Sequence, residues 1–358
     1  MIGRQITYYD RELSLVETEI APPPPGAVIA RVTMAGVCGT DVHRLAGEVA
    51  GPDEPLALGH ESVGVITAVG EGVSKDFAGL PVAVGDRIAF LPGGGCHRCY
   101  ACVTLQNENL CESARWPIVS RIPNGAGFQD YATLLAGDTF YKVDEETPDE
   151  AVVALGCALP TALAAMERLG KIMPGQTVVV QGSGPVGLSA TLLAAQSPAS
   201  RVIVFGTGDD RLGWSTRFGA TDVVDLAVTT AEERVARVLE LTDGRGADIV
   251  IEATGIIGAF QEGLDMIGKH GRYVIVGLYA GDKTVPFNPV VLNNKNLQII
   301  GSYFGRASHR HEALTIVTKL HRELNLSDMV THRYPLEQTR QAIEMTTTGV
   351  AAKVVVVP

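Results

Sequence analysis

The six cysteines of the chain fall into two sets, and each set has the composition of a zinc site. The first set, Cys96, Cys99, Cys102 and Cys111, follows the pattern C-x2-C-x2-C-x8-C. Four thiolates at such short spacing predict a closed, tetrahedral structural zinc site. A redox-active disulfide pair is the competing interpretation of the same pattern.

The second set draws its residues from three separate segments. Cys38 opens the sequence CGTDVH, His60 lies in GHE, and Cys157 lies in LGCALPT. Two thiolates and one imidazole leave a fourth coordination position open, which a catalytic zinc needs for its substrate. We therefore predict a catalytic zinc at these three residues. The alternative for each cysteine is a small buried hydrophobic side chain.

A glycine-rich segment, QGSGPVG at 181–187, stands between a continuous apolar run at 177–182 and a predicted helix at 185–196. It matches G-x-G-x-x-G, in which glycines allow a tight turn and bring a pyrophosphate close to a helix N-terminus. In this strand–turn–helix setting, the pattern predicts a dinucleotide-binding loop. The loop residues that we expect to contact the cofactor are Gly182, Gly184, Pro185, Val186 and Gly187.

The choice between NAD and NADP depends on the end of the next predicted strand, VIVFGTGDDR. Gly206 occupies the position where an acidic residue would bind the adenosine ribose. Without that carboxylate, the site would admit the 2′-phosphate of NADP. Thr207 beside it is neutral, and Asp209 and Asp210 are acidic. A 2′-phosphate needs a cation, and Arg211 is the only candidate nearby. The signals conflict, and we favour NAD slightly.

The bulk composition fits an enzyme of small molecules better than a binder of polyanions. The formal net charge is −11, and 46% of the residues are hydrophobic. A surplus of acidic residues disfavours nucleic acids and anionic membranes as partners, and the length predicts two domains. The first residues contain no apolar segment of signal-peptide length. We therefore expect a cytoplasmic protein whose cysteines bind metal rather than form disulfides.

The elements that must position these residues change in character along the chain. Short β-branched runs at 27–37, 62–70 and 86–90, separated by Gly and Pro, predict a small β-rich domain at the beginning. Further on, apolar strands alternate with helices, which predicts a doubly wound parallel sheet. The final run AKVVVVP predicts a strand that returns to the first domain.

Taken in order, CGTDVH, GHE, the four-cysteine segment and GSGPVG resemble the zinc-dependent medium-chain alcohol dehydrogenases, of the medium-chain dehydrogenase/reductase superfamily. The resemblance covers essentially the whole chain. It implies an α/β fold with a GroES-like catalytic domain at 1–158 and 302–358, a structural-zinc lobe at about 92–115 and a Rossmann domain at 159–301. It also implies two zinc ions per chain, an active site in the cleft between the domains, and a homodimer or homotetramer.

The resemblance also implies roles around the catalytic zinc. Cys38, His60 and Cys157 match the three ligands of the family. Glu61 matches a carboxylate that lies behind the metal and binds it transiently, and whether Glu61 does so here stays open. Asp41 matches a carboxylate that orients the liganding histidine.

Two further residues match the proton relay of the family. Thr40 corresponds to the hydroxyl that contacts the alcohol oxygen, and His43 to the histidine at which the relay ends. The chemistry implied is Lewis-acid activation of an alcohol by zinc and hydride transfer to a nicotinamide. Histidine suits the exit of the proton because it titrates near physiological pH. A surface histidine without a function is the alternative for His43.

The remaining implied contacts belong to the cofactor and the substrate. Thr161 matches a residue under the nicotinamide, and Lys353 matches a basic residue near the pyrophosphate. Gly277 and Leu278 match backbone that contacts the carboxamide, and Thr254 is a further expected cofactor contact. The residues implied to line the substrate pocket are Pro92, Trp116, Phe128, Leu278 and Phe304.

Two residues favour a particular substrate class. Polyol dehydrogenases of the family typically have Glu where this chain has Cys157, and aromatic residues often narrow the pocket where it has Pro92. We therefore predict reversible oxidation of bulky or cyclic secondary alcohols, in preference to ethanol. A polyol, threonine or amino-alcohol dehydrogenase on the same scaffold is the alternative. A non-catalytic cofactor-binding protein is a remote alternative, because every ligand and relay residue is present.

Overall fold

The computed structural model describes residues 1–49, 55–91, 94–113, 126–281 and 284–358. The chain forms two compact units: a first unit of Met1–Cys157 and Arg306–Pro358, and a second unit of Ala158–Gly305. From the sequence we expected the two divisions at 158/159 and 301/302. Within the described residues, no helix combines the length and the apolar composition that a membrane crossing requires.

Strands and helices follow one another along the chain. The strands are β1 (Ile2–Tyr9), β2 (Glu12–Glu19), β3 (Val28–Gly36), β4 (Leu56–Ala57), β5 (Ser62–Val69), β6 (Arg87–Leu91), β7 (Tyr131–Leu134), β8 (Thr139–Lys142), β9 (Thr177–Gln181), β10 (Arg201–Gly206), β11 (Asp222–Asp225), β12 (Ala247–Glu252), β13 (Ile267–Ile275), β14 (Gln298–Gly301), β15 (Val330–Pro335) and β16 (Lys353–Val357). The α-helices are α1 (Gly39–Leu45), α2 (Tyr100–Val103), α3 (Asp149–Ala154), α4 (Ala158–Leu169), α5 (Pro185–Ala195), α6 (Asp209–Arg217), α7 (Ala231–Leu241), α8 (Ile257–Met266), α9 (Val290–Lys295), α10 (Ala307–Leu320) and α11 (Thr339–Thr347). Short 3₁₀ turns cover Glu108–Leu110, Leu326–Met329 and Leu336–Gln338.

The first unit is built mainly on antiparallel strands. Its larger sheet has the order β15-β16-β3-β5-β6-β8, with β7 also paired to β3, and its smaller sheet has the order β2-β1-β4. β15 and β16 run parallel, whereas β16 and β3 run antiparallel through the pairs Val355–Gly36 and Val356–Ala35. A strand from the C-terminal segment therefore completes a sheet that begins in the N-terminal segment, as the apolar run AKVVVVP predicted.

The core of the first unit holds two of the three segments that carry the predicted catalytic ligands. β3 is buried at nearly every position, and Val28, Val32 and Ile66 pack with Val356 in one hydrophobic cluster. Burying an aliphatic side chain of this size contributes about 1.5–3 kcal/mol. Because Cys38 follows β3 directly, this core fixes the position of its backbone.

The second unit contains a six-stranded parallel sheet of order β11-β10-β9-β12-β13-β14. The central strand β9 has the sequence TVVVQ and is buried at every position, as a strand covered on both faces must be. Val178 packs in the cluster that includes α4 and α5, whereas Val179 packs in the cluster that includes α7 and α8. Helices on both faces and this strand order define the doubly wound α/β fold that the sequence predicted.

The order of strands also determines where a ligand can bind. From β9 the chain moves outward to β10 and β11 and then crosses to β12 on the other side of β9. Ligands of such sheets bind at the carboxyl ends of the strands, at the point where the order reverses. One element differs from expectation: we predicted a strand at 272–279, whereas β13 ends at Ile275. Gly277 and Leu278 therefore lie in the loop after the strand.

Candidate active site

A buried group of possible metal ligands joins three distant segments of the first unit. The ligand atoms of Cys38, His60, Glu61 and Cys157 all lie within 4.8 Å of one another. Cys38 precedes α1, the His60–Glu61 pair precedes β5, and Cys157 follows α3. The two sulfur atoms of Cys38 and Cys157 are 3.4 Å apart. Two thiols and an imidazole at this separation offer the soft and borderline donors that zinc prefers.

The electrostatics of this buried group favour a cation. Burial by itself lowers the pKa of His60, but the negative charges of Cys38, Asp41 and Glu61 outweigh it and raise that pKa to about 9. The hydrogen bond between Cys38 and Cys157 holds the pKa of the Cys38 thiol well below its usual value. His60 is completely buried, and neither ring nitrogen has a hydrogen-bond partner among the described residues. The negative potential that stabilises a proton here would equally stabilise a divalent metal ion.

Asp41 lies beside the imidazole and supports the backbone of a neighbouring ligand. Its Oδ2 accepts a hydrogen bond of 2.9 Å from the N–H of Cys38, and its Oδ1 lies 3.9 Å from Nδ1 of His60. Burial raises the pKa of Asp41 to about 6, while the charge of His60 opposes that rise. At 3.9 Å the carboxylate is too far for a hydrogen bond, so its action on His60 in this structure is electrostatic.

The carboxylate of Glu61 has two partners within the buried group. Its Oε1 accepts a hydrogen bond of 3.1 Å from the N–H of Cys157, and its Oε2 forms an ion pair with Nζ of Lys353. The same amine donates to the carbonyl of Val37 at 3.2 Å. Burial lowers the pKa of Lys353, but Glu61 and the two thiols more than offset this, so the lysine stays charged.

The family motifs do not reveal the ion pair between Lys353 and Glu61. The contact of Lys353 with the cofactor pyrophosphate stays a prediction, whereas the structure gives the amine a partner inside the metal-binding group. One signal was available. Lys353 is the only charged residue in the apolar run AAKVVVVP, and a lysine inside a buried strand requires a counterion.

Thr40 and His43 lie on one side of α1, three residues apart. The hydroxyl of Thr40 is 3.8 Å from the sulfur of Cys38, which places it beside the metal-binding group. Nδ1 of His43 lies 2.6 Å from Oε2 of Glu48, and both side chains are partly exposed. A partly exposed histidine with a carboxylate partner can exchange protons with solvent.

The second group of possible metal ligands lies within a single short segment. The sulfur atoms of Cys96, Cys99, Cys102 and Cys111 all lie within 4.8 Å of one another. The N–H of Cys96 donates to the sulfur of Cys111 at 3.3 Å. Hydrogen bonds from backbone N–H groups, including that of Cys102, lower the pKa of the Cys99 thiol to about 6, which favours the thiolate that a metal requires.

The four-cysteine segment is attached to the start of α10 in the same unit. A carboxylate oxygen of Glu108 accepts a hydrogen bond from the N–H of Ala307, and the guanidinium of Arg306 donates to the carbonyl of Gln106 at 3.4 Å. Both acceptors lie between Cys102 and Cys111. A metal ion in this segment would therefore stabilise the contact with α10 as well as the segment itself.

The glycine-rich loop of the second unit has the geometry that a pyrophosphate needs. Gly182 follows β9 with a φ of +113°, a conformation that other residues rarely adopt. Gly184 caps the N-terminus of α5, and Pro185 occupies its first turn. A Cβ at Gly187 would overlap the carbonyl of Gly182, so this glycine allows the helix to start against the strand. The N-terminal N–H groups of α5 are thereby left for an anion.

Four of the other predicted cofactor residues lie at the same edge of the sheet: Gly206, Thr254, Gly277 and Leu278. Gly206 ends β10, and Thr254 and Leu278 lie in the loops after β12 and β13. The buried carboxylate of Glu252 accepts hydrogen bonds from the N–H groups of Thr254 and Gly255, at 2.6 and 2.9 Å. A Cβ at Gly277 would overlap the N–H of Gly255, so the two loops are in close contact. Thr161, on α4, is partly buried.

Three of the predicted pocket residues can be placed, and one of them is corrected. Phe128 has no exposed surface and packs in the core of the first unit against Gly59, so it offers no face to a substrate. Leu278 is 42% exposed, and Phe304 is partly buried with a φ of +55°. The other two, Pro92 and Trp116, lie outside the described residues. Sequence matching misplaced Phe128 because an aromatic residue in a core and one in a pocket look alike in a sequence.

Comparison with known families agrees with this arrangement. The model of the alcohol dehydrogenase GroES-like domain matches residues 24–145, and that of the zinc-binding dehydrogenases matches residues 185–319. The first match lies in the unit that holds both groups of possible metal ligands, and the second begins at the nucleotide loop. The chain belongs to the zinc-dependent medium-chain alcohol dehydrogenases, which confirms the family indicated by its motifs.

Individual relatives extend the similarity over nearly the whole chain. The 5-exo-hydroxycamphor dehydrogenase of Pseudomonas putida is 40% identical over 340 residues, which cover 95% of this chain and 94% of that protein. An alcohol dehydrogenase from Thermotoga maritima has a similar structure, with a TM-score of 0.91, 30% identity and full coverage of both chains. A zinc-binding dehydrogenase from Sinorhizobium meliloti 1021, bound to NADP, gives a TM-score of 0.86 at 25% identity, also with full coverage of both chains.

The protein is thus an enzyme, a zinc-dependent and NAD(P)-dependent alcohol dehydrogenase. It transfers a hydride between an alcohol and a nicotinamide cofactor. The predicted reaction class is confirmed, and the non-catalytic alternative is wrong.

Proposed function

We propose that this enzyme oxidises bulky, cyclic secondary alcohols reversibly to ketones, with two zinc ions per chain and NAD(H) as the favoured cofactor. The observation that carries the proposal is the 40% identity, over 95% of the chain, to a dehydrogenase of 5-exo-hydroxycamphor, a cyclic alcohol. Cys157 supports it as well, because it supplies a thiol to the buried group, whereas the family resemblance implies that a polyol dehydrogenase would typically have a glutamate at this position.

The residues that would hold the catalytic zinc are Cys38, His60 and Cys157, and those that would hold the structural zinc are the four cysteines of the local segment. Bound at the first group, zinc would supply the Lewis acidity that lowers the pKa of the alcohol, and the nicotinamide would accept the hydride. Glu61 and Lys353 neutralise each other behind the two thiols. With Glu61 paired to Lys353, the two thiols and the imidazole are the donors that we assign to the metal.

The chain itself provides a route for the proton that the alcohol releases. Thr40, beside Cys38, has a hydroxyl that can accept a proton from the alcohol and pass another one on. His43 lies one turn further along α1 and is partly exposed, and Glu48 binds its Nδ1 at 2.6 Å. Glu48 would orient the ring while it passes the proton to solvent.

The preference for NAD(H) over NADP(H) rests on the charges after β10. Asp209 and Asp210 are both exposed at the start of α6 and would repel a 2′-phosphate. Arg211 is the cation that follows them in the sequence, and burial lowers its pKa. The NADP-bound relative from Sinorhizobium meliloti keeps NADP(H) as the second candidate.

Two further expectations complete the proposal. Family membership suggests that the enzyme assembles as a homodimer or homotetramer. A reducing compartment such as the cytoplasm suits six cysteines that form no disulfide and all lie at metal-ligand positions.

The decisive experiment measures the formation of NADH or NADPH near 340 nm with the zinc-loaded enzyme. Cyclic secondary alcohols, ethanol, polyols and L-threonine are compared with each cofactor. We expect the highest kcat/KM for a bicyclic secondary alcohol with NAD. A kcat/KM for ethanol equal to that for the cyclic alcohols would refute the substrate proposal, and turnover restricted to polyols or amino alcohols would replace it with the alternative.

A further inference from the structure

The space beside Gly206 is already filled by another part of the nucleotide loop. A Cβ placed on Gly206 would overlap both Oγ and Cβ of Ser183, the residue between the first two glycines of the loop. The Cδ2 atom of Leu212 would also lie within 3.3 Å of it. An acidic side chain at the end of β10, the usual ligand of the adenosine ribose, therefore has no room in this protein.

Ser183 is held firmly in this position. The N–H of its neighbour Gly182 donates to the carbonyl of Phe205 at 2.7 Å, which ties the loop to the end of β10. Ser183 is 4% exposed. Its hydroxyl makes no hydrogen bond to any other residue in the part of the chain that the structure describes. This hydroxyl is therefore available to donate a hydrogen bond to a ligand or to accept one from it.

We infer that the hydroxyl of Ser183, rather than a side chain at position 206, recognises the 2′ position of the adenosine ribose. The inference rests on the proposed use of NAD(H) and adds the residue that reads the sugar. A hydroxyl both donates and accepts, so it can bond to the 2′-hydroxyl of NAD. It is also small and uncharged, so it repels a 2′-phosphate less than a carboxylate does, and Asp209 and Asp210 are then left to disfavour NADP.

The first test removes the hydroxyl of Ser183 and the 2′-hydroxyl of the ligand, separately and together. Binding of NADH and of 2′-deoxy-NADH is measured by fluorescence titration for the zinc-loaded wild type and for Ser183→Ala. We expect the wild type to bind NADH about 3- to 10-fold more tightly than the deoxy analogue, the contribution of one hydrogen bond. Ser183→Ala should bind both ligands equally. A serine whose only role is structural would weaken both ligands and leave their ratio unchanged.

Ser189→Ala is the matched control. Ser189 lies on α5, and its hydroxyl donates to the carbonyl of Pro185 at 2.8 Å inside the helix. This variant should keep the wild-type ratio between NADH and its deoxy analogue. Equal binding of the two ligands by the wild type, or an unchanged ratio in Ser183→Ala, would overturn the inference. Failure of NADH to bind the wild type at all would instead overturn the proposed cofactor.

A second test uses the overlap between positions 183 and 206. Gly206→Asp alone should weaken NADH binding, because its Cβ displaces Ser183 and the loop. Combined with Ser183→Gly, the same substitution gains the space it needs, and binding of NADH should recover by at least about tenfold relative to Gly206→Asp. Binding of NADPH should stay weak in the double variant, because the carboxylate repels the 2′-phosphate. Additive effects of the two substitutions would contradict the proposed contact.

Discussion

The two groups of possible metal ligands differ in how the chain brings them together. The four cysteines lie between residues 96 and 111, and a few turns of backbone are enough to converge their sulfur atoms. The other group takes Cys38 from the end of β3, His60 from before β5 and Cys157 from after α3, so it exists only when the first unit has folded. The first group can organise its own segment, whereas the second is a product of the fold.

The groups also differ in their surroundings. The four cysteines between residues 96 and 111 are called the local group below. Apart from Cys111 they are partly exposed, and the group consists of thiols alone. The group around Cys38, His60 and Cys157 is called the assembled group below. It is almost fully buried, and its thiols and imidazole lie beside the charged residues Asp41, Glu61 and Lys353. A closed set of four thiolates suits a structural metal, which stabilises the fold of its segment and takes no part in the reaction. A buried set with fewer ligands and surrounding charges suits a metal that takes part in a reaction.

The largest effect should follow from breaking the assembled group. Cys38→Ser removes one of its three zinc donors, and we expect kcat/KM to fall at least about 10³-fold, since the Lewis acidity of zinc contributes several kcal/mol. The protein should remain folded and keep about half of its zinc, because the local group is untouched. Metal analysis, circular dichroism and steady-state kinetics measure these properties. Full activity in this variant would show that the group is not catalytic.

Breaking the local group should lower the stability of the protein but leave its activity nearly unchanged. Cys99→Ser removes one of four thiolates, and we expect the melting temperature to fall by at least about 5 °C, because a structural zinc contributes directly to folding free energy. At low temperature, kcat should stay within about threefold of the wild type. Calorimetry and initial rates are compared with those of Cys38→Ser. If both variants lost activity and stability in the same proportion, the contrast between the two groups would disappear.

The ion pair between Lys353 and Glu61 allows a third test, which separates the effect of charge from that of packing. Lys353→Met leaves the carboxylate of Glu61 buried without a cation, and such a loss costs about 3–5 kcal/mol. We therefore expect a melting temperature about 10 °C lower. The control is the double variant Lys353→Met with Glu61→Gln, which removes both charges and should recover most of the loss. A double variant as unstable as Lys353→Met would mean that packing, and not charge, explains the effect.

The smallest effect should come from Asp41, which touches the assembled group indirectly. Asp41→Asn keeps the shape of the side chain but removes its charge, and we expect the affinity of this group for zinc to fall about 10- to 100-fold. Competition with a chelator measures the affinity, and the zinc of the local group serves as the internal control. Addition of zinc should restore activity. An equal loss of affinity at both groups would indicate a general disturbance of the fold.

The parts of the molecule that depend on local sequence could be predicted well. The spacing of the four cysteines indicates one cluster, and the apolar run of β9 followed by glycines indicates the strand, the turn and α5. These patterns act over a few residues, where backbone geometry leaves few alternatives. The family motifs supplied Cys38, His60 and Cys157, whose convergence no local pattern could have shown.

The parts that depend on distant packing could not be predicted. The ion pair between Lys353 and Glu61 joins residues far apart in sequence, and Phe128 turned out to belong to the core. The position of Ser183 beside Gly206 depends on how tightly the loop closes on the end of β10. In each case the residue type allowed several roles, and only the neighbours in space selected one.

The discontinuous first unit imposes an order on folding during protein synthesis. Residues 158–305 form a continuous unit, so they can fold while residues 306–358 are still to be synthesised. Until β16 emerges, the end of β3 around Ala35 and Gly36 lacks its neighbour, and Glu61 lacks its lysine. An unpaired strand end is a site of aggregation. The assembled metal-binding group is therefore among the last features of the nascent chain to mature, although two of its ligands are among the first residues made.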